Sequence, residues 1–197
     1  MSLRMGPCIL LVAVAFLTGC GKQERTEGIR LTRVLTEKQA DFDRANTLEK
    51  DFVSSARAWC DGITANGAGR GVDLDQNARI TTVLAKSAVA ISTQLSQVRQ
   101  AVYGESLKEA YPQSIRADLI TQLTKRQRLL QDMRASLEQS APQFLDYRQS
   151  KTYAGDTFPG GIGELDALLK AYKAPEDIVG AALAGLKAKY KLTPKDL

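Results

Sequence analysis

The chain has 197 residues, and its 27 basic residues exceed its 22 acidic residues to give a formal net charge of +5. This length is sufficient for one domain with a hydrophobic core. Histidine is absent, which excludes the commonest general base, the commonest zinc ligand and the Ser–His and Cys–His nucleophile pairs. The basic and acidic residues are interspersed, and no dense basic and aromatic patch indicates nucleic acid as a partner.

The first twenty residues have the pattern of an export signal. Arg4 supplies a positive charge, and residues 9–17 form an uninterrupted apolar run. This run is too short to cross a bilayer, which needs about 20 apolar residues. The small residues Thr18 and Gly19 follow it, and Cys20 comes next. An ordinary secretory signal would end at a small residue without requiring that cysteine.

The segment Leu17-Thr18-Gly19-Cys20 resembles the lipobox of bacterial lipoproteins, which ends in Leu, a small residue, Gly or Ala, and Cys. The resemblance implies cleavage between Gly19 and Cys20, diacylglyceryl transfer to the Cys20 thiol and acylation of the new amino group. More than one acyl chain is needed for a stable anchor, since each buried methylene contributes only ~0.8 kcal/mol. The bilayer is therefore an expected partner. The resemblance is confined to the signal segment, and no family is identified for the rest of the chain.

The residues after Cys20 bear on which membrane would hold the anchor. In enterobacteria, an Asp directly after the cysteine tends to retain a lipoprotein in the inner membrane, and here that position is Gly21. The expectation is therefore the outer membrane, facing the periplasm; the alternative is the outer leaflet of the inner membrane. Residues 20–30 are polar and unpatterned, which predicts a tether.

The cysteines do not predict a disulfide within one mature chain. Cys8 would leave with the signal segment and Cys20 would be acylated, so Cys60 would remain alone. Cys60 lies on an apolar face beside Trp59, which favours a buried small side chain. The alternative is a thiol that pairs with another chain in an oxidising compartment.

Apolar residues at helical spacing predict long helices over residues 31–63, 74–103 and 114–150, with a capping box at Thr36 as an alternative start for the first. Their apolar faces comprise Leu31, Leu35, Phe42, Ala45, Phe52, Ala56, Trp59 and Ile63; Ile80, Leu84, Ala88, Ile91, Leu95, Val98 and Val102; and Ile115, Leu119, Leu123, Leu130, Met133, Leu137 and Phe144.

Several residues mark helix ends. Asp73 with Gln76 predicts the cap of the second helix, and Ser114 predicts the cap of the third. Pro142 is expected to break or kink the third helix. The glycine-rich residues 65–73 do not fit a phosphate loop, because no strand precedes them and no Gly-Lys-Ser/Thr follows. Residues 73–77 resemble the opening of a calcium loop but do not fit one, because Ala78 and Leu84 stand where the required Gly and Glu would be.

The C-terminal part changes character. Residues 153–163 contain glycines and aromatic residues and predict a structured loop, and short helices are expected over 164–173 and 175–191. The predicted fold is all-α: an elongated antiparallel three-helix, coiled-coil-like bundle with a C-terminal short helical hairpin. Residues 31–197 are expected to form a single helical domain.

The primary functional hypothesis is a non-catalytic envelope lipoprotein that binds another envelope protein along its helices. The alternative is a binder of a small ligand or cell-wall polymer through Tyr153, Phe158 and Tyr172. A carboxylate-based hydrolase is a third possibility, for which no convergent set of residues is visible. No cofactor or metal site is predicted. The cluster Lys125-Arg126-Gln127-Arg128 suggests lipid or polyanion binding, and a solvated helix face is its alternative interpretation.

Overall fold

The computed structural model describes residues 8–66, 73–150 and 160–197, and within these ranges the chain forms five α-helices and no strand. The helices are α1 (Cys8–Asn66), α2 (Leu74–Tyr103), α3 (Ala110–Ser150), α4 (Gly160–Ala171) and α5 (Ile178–Tyr190). The predicted all-α class is confirmed. Within the described ranges, no helix combines the length and the apolar character needed to cross a bilayer.

The described residues divide into two compact units. Unit 1 contains the described part of Met1–Gln39 together with Gln100–Ile120 and Asp177–Leu197. Unit 2 contains the described parts of Ala40–Arg99 and Thr121–Glu176. Each long helix therefore contributes one part to each unit, whereas α4 belongs to unit 2 and α5 to unit 1.

The core of unit 2 lies where α1, α2 and α3 contact one another. The rings of Trp59 on α1 and Phe144 on α3 meet edge to face, with centroids 6.1 Å apart. The Trp59 Nε1–H donates to Asn77 Oδ1 on α2 at 2.8 Å. The Gln127 Nε2–H on α3 donates to the carbonyl oxygen of Ser92 on α2 at 3.0 Å. Unit 2 is thus built on a bundle of three helix segments.

The predicted apolar faces are nearly all buried. All members of the first face are at most 8 % exposed, and the second and third faces are buried except for Ile80 and Ile115, which are half-buried. The recurrence of apolar residues every three or four positions therefore identifies the inward face of each long helix. The predicted cap of α2 is also confirmed, since the Gln76 backbone N–H donates to Asp73 Oδ1 at 2.9 Å.

The first helix begins much earlier than predicted. α1 starts at Cys8 rather than near residue 31 or Thr36, and it continues through Gly62 to Asn66. The predicted tether, residues 20–30, is therefore helical. The physical reason lies in contacts that the local sequence does not show, because Glu27 and Gly28 are buried in unit 1.

Glu27 is the residue that connects the N-terminal half of α1 to the start of α3. Its Oε2 accepts the backbone N–H groups of Lys108 and Glu109 at 2.8 and 2.9 Å. The first N–H groups of a helix have no partner within the helix, so this carboxylate satisfies donors next to the N-terminus of α3. Burial alone would raise the pKa of Glu27, but the two backbone hydrogen bonds, with Gln23 and Arg30, outweigh it and lower the net pKa.

We expect Glu27→Gln to destabilise the protein by about 1–2 kcal/mol at pH 7, because neutral hydrogen bonds replace charge-assisted ones. A lowered pKa means that the carboxylate's contribution is complete above the ordinary value of 4.5. It is lost as the pH falls through the lower pKa of the folded state. Urea unfolding of both proteins at pH 7 and pH 3 should therefore show a difference that shrinks on acidification. An equal difference at both pH values would contradict this role.

Tyr190, at the end of α5, packs against α1 and α3 within unit 1. Its hydroxyl donates to Glu24 Oε1 on α1 at 3.0 Å, and its ring meets the ring of Tyr111 edge to face at 6.0 Å. A Cβ on Gly28 would overlap the Tyr190 ring. Burial and the hydrogen bond to Glu24 raise the pKa of Tyr190, so the hydroxyl remains a donor at neutral pH. Glycine at position 28 thus lets α5 approach α1 closely.

α3 begins at Ala110, so the predicted cap Ser114 lies inside the helix, where its hydroxyl donates to the Tyr111 carbonyl oxygen at 2.8 Å. Pro112 is compatible with this start, because a first-turn residue has no N–H partner to lose. Pro142 does not break α3. Leu137 and Phe144, on either side of it, are buried in unit 2 and hold both parts of the helix in place.

The short helices also begin at positions other than those predicted. α4 begins at Gly160 rather than near residue 164, and a Cβ on Gly161 would overlap the Ser136 carbonyl oxygen on α3. Because α4 packs this closely against α3, Gly160 and Gly161 are part of the helix rather than of a loop. α5 begins at Ile178 rather than at residue 175, because Asp177 is its N-cap and accepts the Gly180 N–H at 2.8 Å.

Candidate functional site

The predicted aromatic loop is only partly within the described residues. Tyr153 and Phe158 lie outside them, and residues 160–163 belong to α4. Tyr172 follows α4 directly, and its hydroxyl donates to Glu49 Oε1 on α1 at 3.1 Å. Burial, together with the Glu49 carboxylate, raises the pKa of Tyr172. Tyr172 is therefore engaged in a contact that attaches the end of α4 to α1.

Glu49 and Arg126 form a buried ion pair between α1 and α3. Their side chains are 3 % and 12 % exposed. One guanidinium nitrogen, Nη2, donates both to Glu49 Oε2 and to Asn46 Oδ1. The guanidinium also lies over the Phe42 ring, 5.1 Å from its centroid. Since both charges are removed from water, each needs the other as its counter-charge. The pair therefore holds α1 and α3 together in unit 2.

The cluster Lys125-Arg126-Gln127-Arg128 does not form one surface. Arg126 turns inward to Glu49, and Gln127 is only 7 % exposed and bonds to α2. Lys125 and Arg128 are exposed. Four consecutive residues of a helix point in different directions at about 100° per residue, so adjacency in sequence does not bring these charges together.

A groove of about 480 Å³ lies between α1 and α2 in unit 2. Its floor is apolar and comes from Leu48, Phe52, Ile80, Leu84 and Ile91, and Val83 lies at its edge. Val83 is 62 % exposed and extends the apolar surface of the groove to its edge. Asp51 lies on the α1 side of the groove and Arg79 on the α2 side. The groove therefore has an apolar floor and edges of opposite charge.

Cys60 is buried and forms no disulfide in the part of the chain that the structure describes. Its residue is 2 % exposed. Burial, reinforced by the carboxylates of Asp166 and Asp61, raises the pKa of its thiol to about 12. Pairing with another chain requires an accessible thiolate, so the geometry favours the buried small side chain over the intermolecular disulfide.

We expect Cys60 to be unreactive in the folded protein at pH 8, because both burial and the raised pKa suppress the thiolate. With Cys8 and Cys20 replaced by serine, Cys60 is the only thiol. Titration with a chromogenic disulfide reagent should show reaction only after a denaturant is added. Stoichiometric reaction within minutes in native buffer would contradict the buried position.

Within the described ranges, no group of three or more Cys, Asp or Glu side chains is arranged to hold a metal ion. The lipobox cysteine, Cys20, lies in the helical range of α1, and its side chain is outside the described contacts. No protein-family model, curated protein or solved structure matches this chain. Function is therefore inferred from the chain's own residues.

Proposed function

We propose that this chain is a non-catalytic lipoprotein of the bacterial cell envelope, anchored through Cys20, whose α1–α2 groove binds an amphipathic helix of another envelope protein. The observation that carries the proposal is the apolar groove with Val83 exposed at its edge. Exposed apolar side chains in a groove of this kind are typical of sites that another chain covers. A helix laid into an apolar groove is one of the recurring modes of protein recognition.

The dimensions of the groove fit a helix. Its α2 side runs from Gln76 to Ile91, which is about 22 Å at 1.5 Å per residue. The two walls are themselves helices, so a third helix can lie between them by the same packing that joins α1 to α2. The floor then accepts apolar residues at spacings of three and four on the partner helix.

The charges at the edges specify the partner further. Neither Asp51 nor Arg79 forms an ion pair within the described residues. The fitting helix therefore carries a basic residue on the edge that faces Asp51 and an acidic residue on the edge that faces Arg79. Complementary charges of this kind fix orientation and reject other partners more than they add affinity.

The anchor is supported by the lipobox and by the folded residues that follow it. Glu27 and Gly28 are buried in unit 1. About 10 Å of helix separates residue 20 from Glu27, so an acylated Cys20 would hold unit 1 close to the bilayer. Gly21 in place of Asp favours the outer membrane, facing the periplasm, over the outer leaflet of the inner membrane.

Substitutions in and outside the groove test the proposal. Val83→Asp places a charge on the groove edge without disturbing the core, because Val83 is mostly exposed. Leu145→Asp is the matched control, since Leu145 is 43 % exposed on α3 and does not line the groove. Each variant is crosslinked in intact cells with its anchor in place, and the crosslinked peptides are identified by mass spectrometry.

We expect the wild type and Leu145→Asp to yield one dominant partner, crosslinked through a segment with helical apolar spacing. Val83→Asp should reduce that yield at least tenfold, since a carboxylate at this position must lose its water when the apolar face of the partner docks. A synthetic peptide of the crosslinked segment should also bind the purified wild type and gain helicity. Equal crosslinking of both variants, or a partner segment without apolar spacing, would refute the groove as the binding site.

A further inference from the structure

A second cleft lies in unit 2 between α2 and α3, and its chemistry is opposite to that of the apolar groove. It has a volume of about 570 Å³, within the range of small-molecule sites. All of its lining residues are polar, and none is acidic: Ser92, Thr93, Ser96, Arg99, Thr124, Gln127, Arg128 and Gln131. A polar cleft with basic and no acidic side chains favours a ligand that carries negative charge.

Gln127 supplies a hydrogen-bond acceptor that the protein does not use. The residue is 7 % exposed, and its amide nitrogen is fixed by the bond to the Ser92 carbonyl oxygen. Its Oε1 is buried and has no hydrogen-bond partner among the described residues. Leaving a buried acceptor unpaired costs about 1–3 kcal/mol. The oxygen is closed to solvent, so a ligand in the cleft reaches it only after the Gln127 amide turns toward the cleft, where a hydrogen bond donated to it would recover that cost.

Arg99 and Arg128 supply the positive charge. Neither forms an ion pair within the described part of the chain, and Arg99 makes only a long contact, 3.4 Å, from Nη1 to Thr124 Oγ1. The next basic residue after Arg128 along α3 is Arg134, which differs from these two arginines because it is paired with Glu138. The two unpaired guanidinium groups are suited to an oxyanion, which they can bind with parallel N–H donors.

We propose that the α2–α3 cleft binds an anionic saccharide, that is, a sugar bearing a phosphate or carboxylate group. The oxyanion lies against Arg99 and Arg128, and a sugar hydroxyl donates to Gln127 Oε1. The side-chain hydroxyls and amides that line the cleft accept hydrogen bonds from the remaining sugar hydroxyls and donate hydrogen bonds to them. The proposal does not depend on the apolar groove, since the two sites use different helix faces and different chemistry.

Calorimetric titration of the full mature chain tests the cleft with defined probes: glucose 6-phosphate, glucuronate, glucose and inorganic phosphate. The charged sugars are expected to bind at least tenfold more tightly than either glucose or inorganic phosphate. Only they combine an oxyanion for the two guanidinium groups with a sugar hydroxyl for Gln127. Arg99→Gln and Arg128→Gln should each weaken their binding about tenfold or more.

Lys125→Gln is the matched control, because it removes the same charge from an exposed position of α3 outside the cleft. It should change the affinity less than twofold. Gln127→Met should weaken the binding of glucose 6-phosphate but not that of inorganic phosphate. Circular dichroism confirms that each variant is folded.

No binding of any charged sugar at millimolar concentration would overturn the proposal. So would an equal loss in Lys125→Gln and Arg128→Gln, since the interaction would then be a general charge effect. Phosphatidylethanolamine vesicles with and without lipid A, a phosphorylated disaccharide, distinguish the source of the ligand. If glucose 6-phosphate is displaced by vesicles that contain lipid A but not by vesicles without it, the ligand is a membrane glycolipid. If neither kind of vesicle displaces it, the ligand is a soluble saccharide. Both results support the cleft as the binding site.

Discussion

Arg126→Met is expected to lower the free energy of unfolding by about 3–5 kcal/mol, because it leaves the Glu49 carboxylate buried without its counter-charge. Glu49 is 3 % exposed in its side chain, so water cannot replace the guanidinium without opening the contact between α1 and α3. The loss of the guanidinium over the Phe42 ring adds to the effect. Thermal unfolding should shift downward by roughly 10 °C for a chain of this size.

A second substitution separates the charge effect from a simple packing defect. When Glu49→Leu is combined with Arg126→Met, the uncompensated charge is gone, and we expect most of the lost stability to return. Replacing both members of a buried ion pair with apolar residues is often neutral. A double variant as unstable as Arg126→Met alone would show that packing and the hydrogen bonds lost by Tyr172 and Asn46, and not the uncompensated charge, are responsible.

Trp59→Ala is expected to cost about 3–5 kcal/mol, which is the usual range for removing a large aromatic side chain from a core. Trp59 contacts Phe144 on α3 and hydrogen-bonds to Asn77 on α2, so its loss weakens the contacts of α1 with both other helices of the unit 2 core. The measurement is urea unfolding followed by circular dichroism.

Trp59→Phe provides the comparison. It keeps an aromatic ring beside Phe144 and removes only the indole N–H, which leaves the buried Asn77 Oδ1 without its donor. We expect a smaller loss, about 1–3 kcal/mol. Equal losses for the two variants would mean that the hydrogen bond to Asn77, rather than the ring, determines the stability of this region.

The inward faces of the long helices could be predicted because burial repeats with the helical period. Phe42, Leu95 and Leu137 are each fully buried, as their spacing indicated. Helix boundaries were less predictable. The packing of residues 20–30 of α1 depends on Glu27, whose partners lie more than eighty positions along the chain. A polar segment with such distant partners looks like a tether in sequence.

The candidate sites were the least predictable part. The groove depends on Val83, which lies off the regular apolar face and looks like an ordinary exposed residue of α2. The polar cleft depends on Arg99 and Gln127, which come from different helices and carry no motif. The one sequence signal was the cluster at residues 125–128, and the structure assigns its members to a buried ion pair, a cleft and the solvent.

Site-specific photo-crosslinking at position 83 tests the central claim most directly. A photoreactive phenylalanine analogue is placed at position 83, or at position 145 as the control, in the lipidated chain in living cells. We expect one stoichiometric adduct from position 83, mapped to an amphipathic helix of an envelope protein, and none from position 145. The same adduct should fall sharply in a Cys20→Ala chain that remains in the cell but leaves the membrane fraction. No adduct at position 83, or the same adducts from both positions, would contradict a groove-binding lipoprotein.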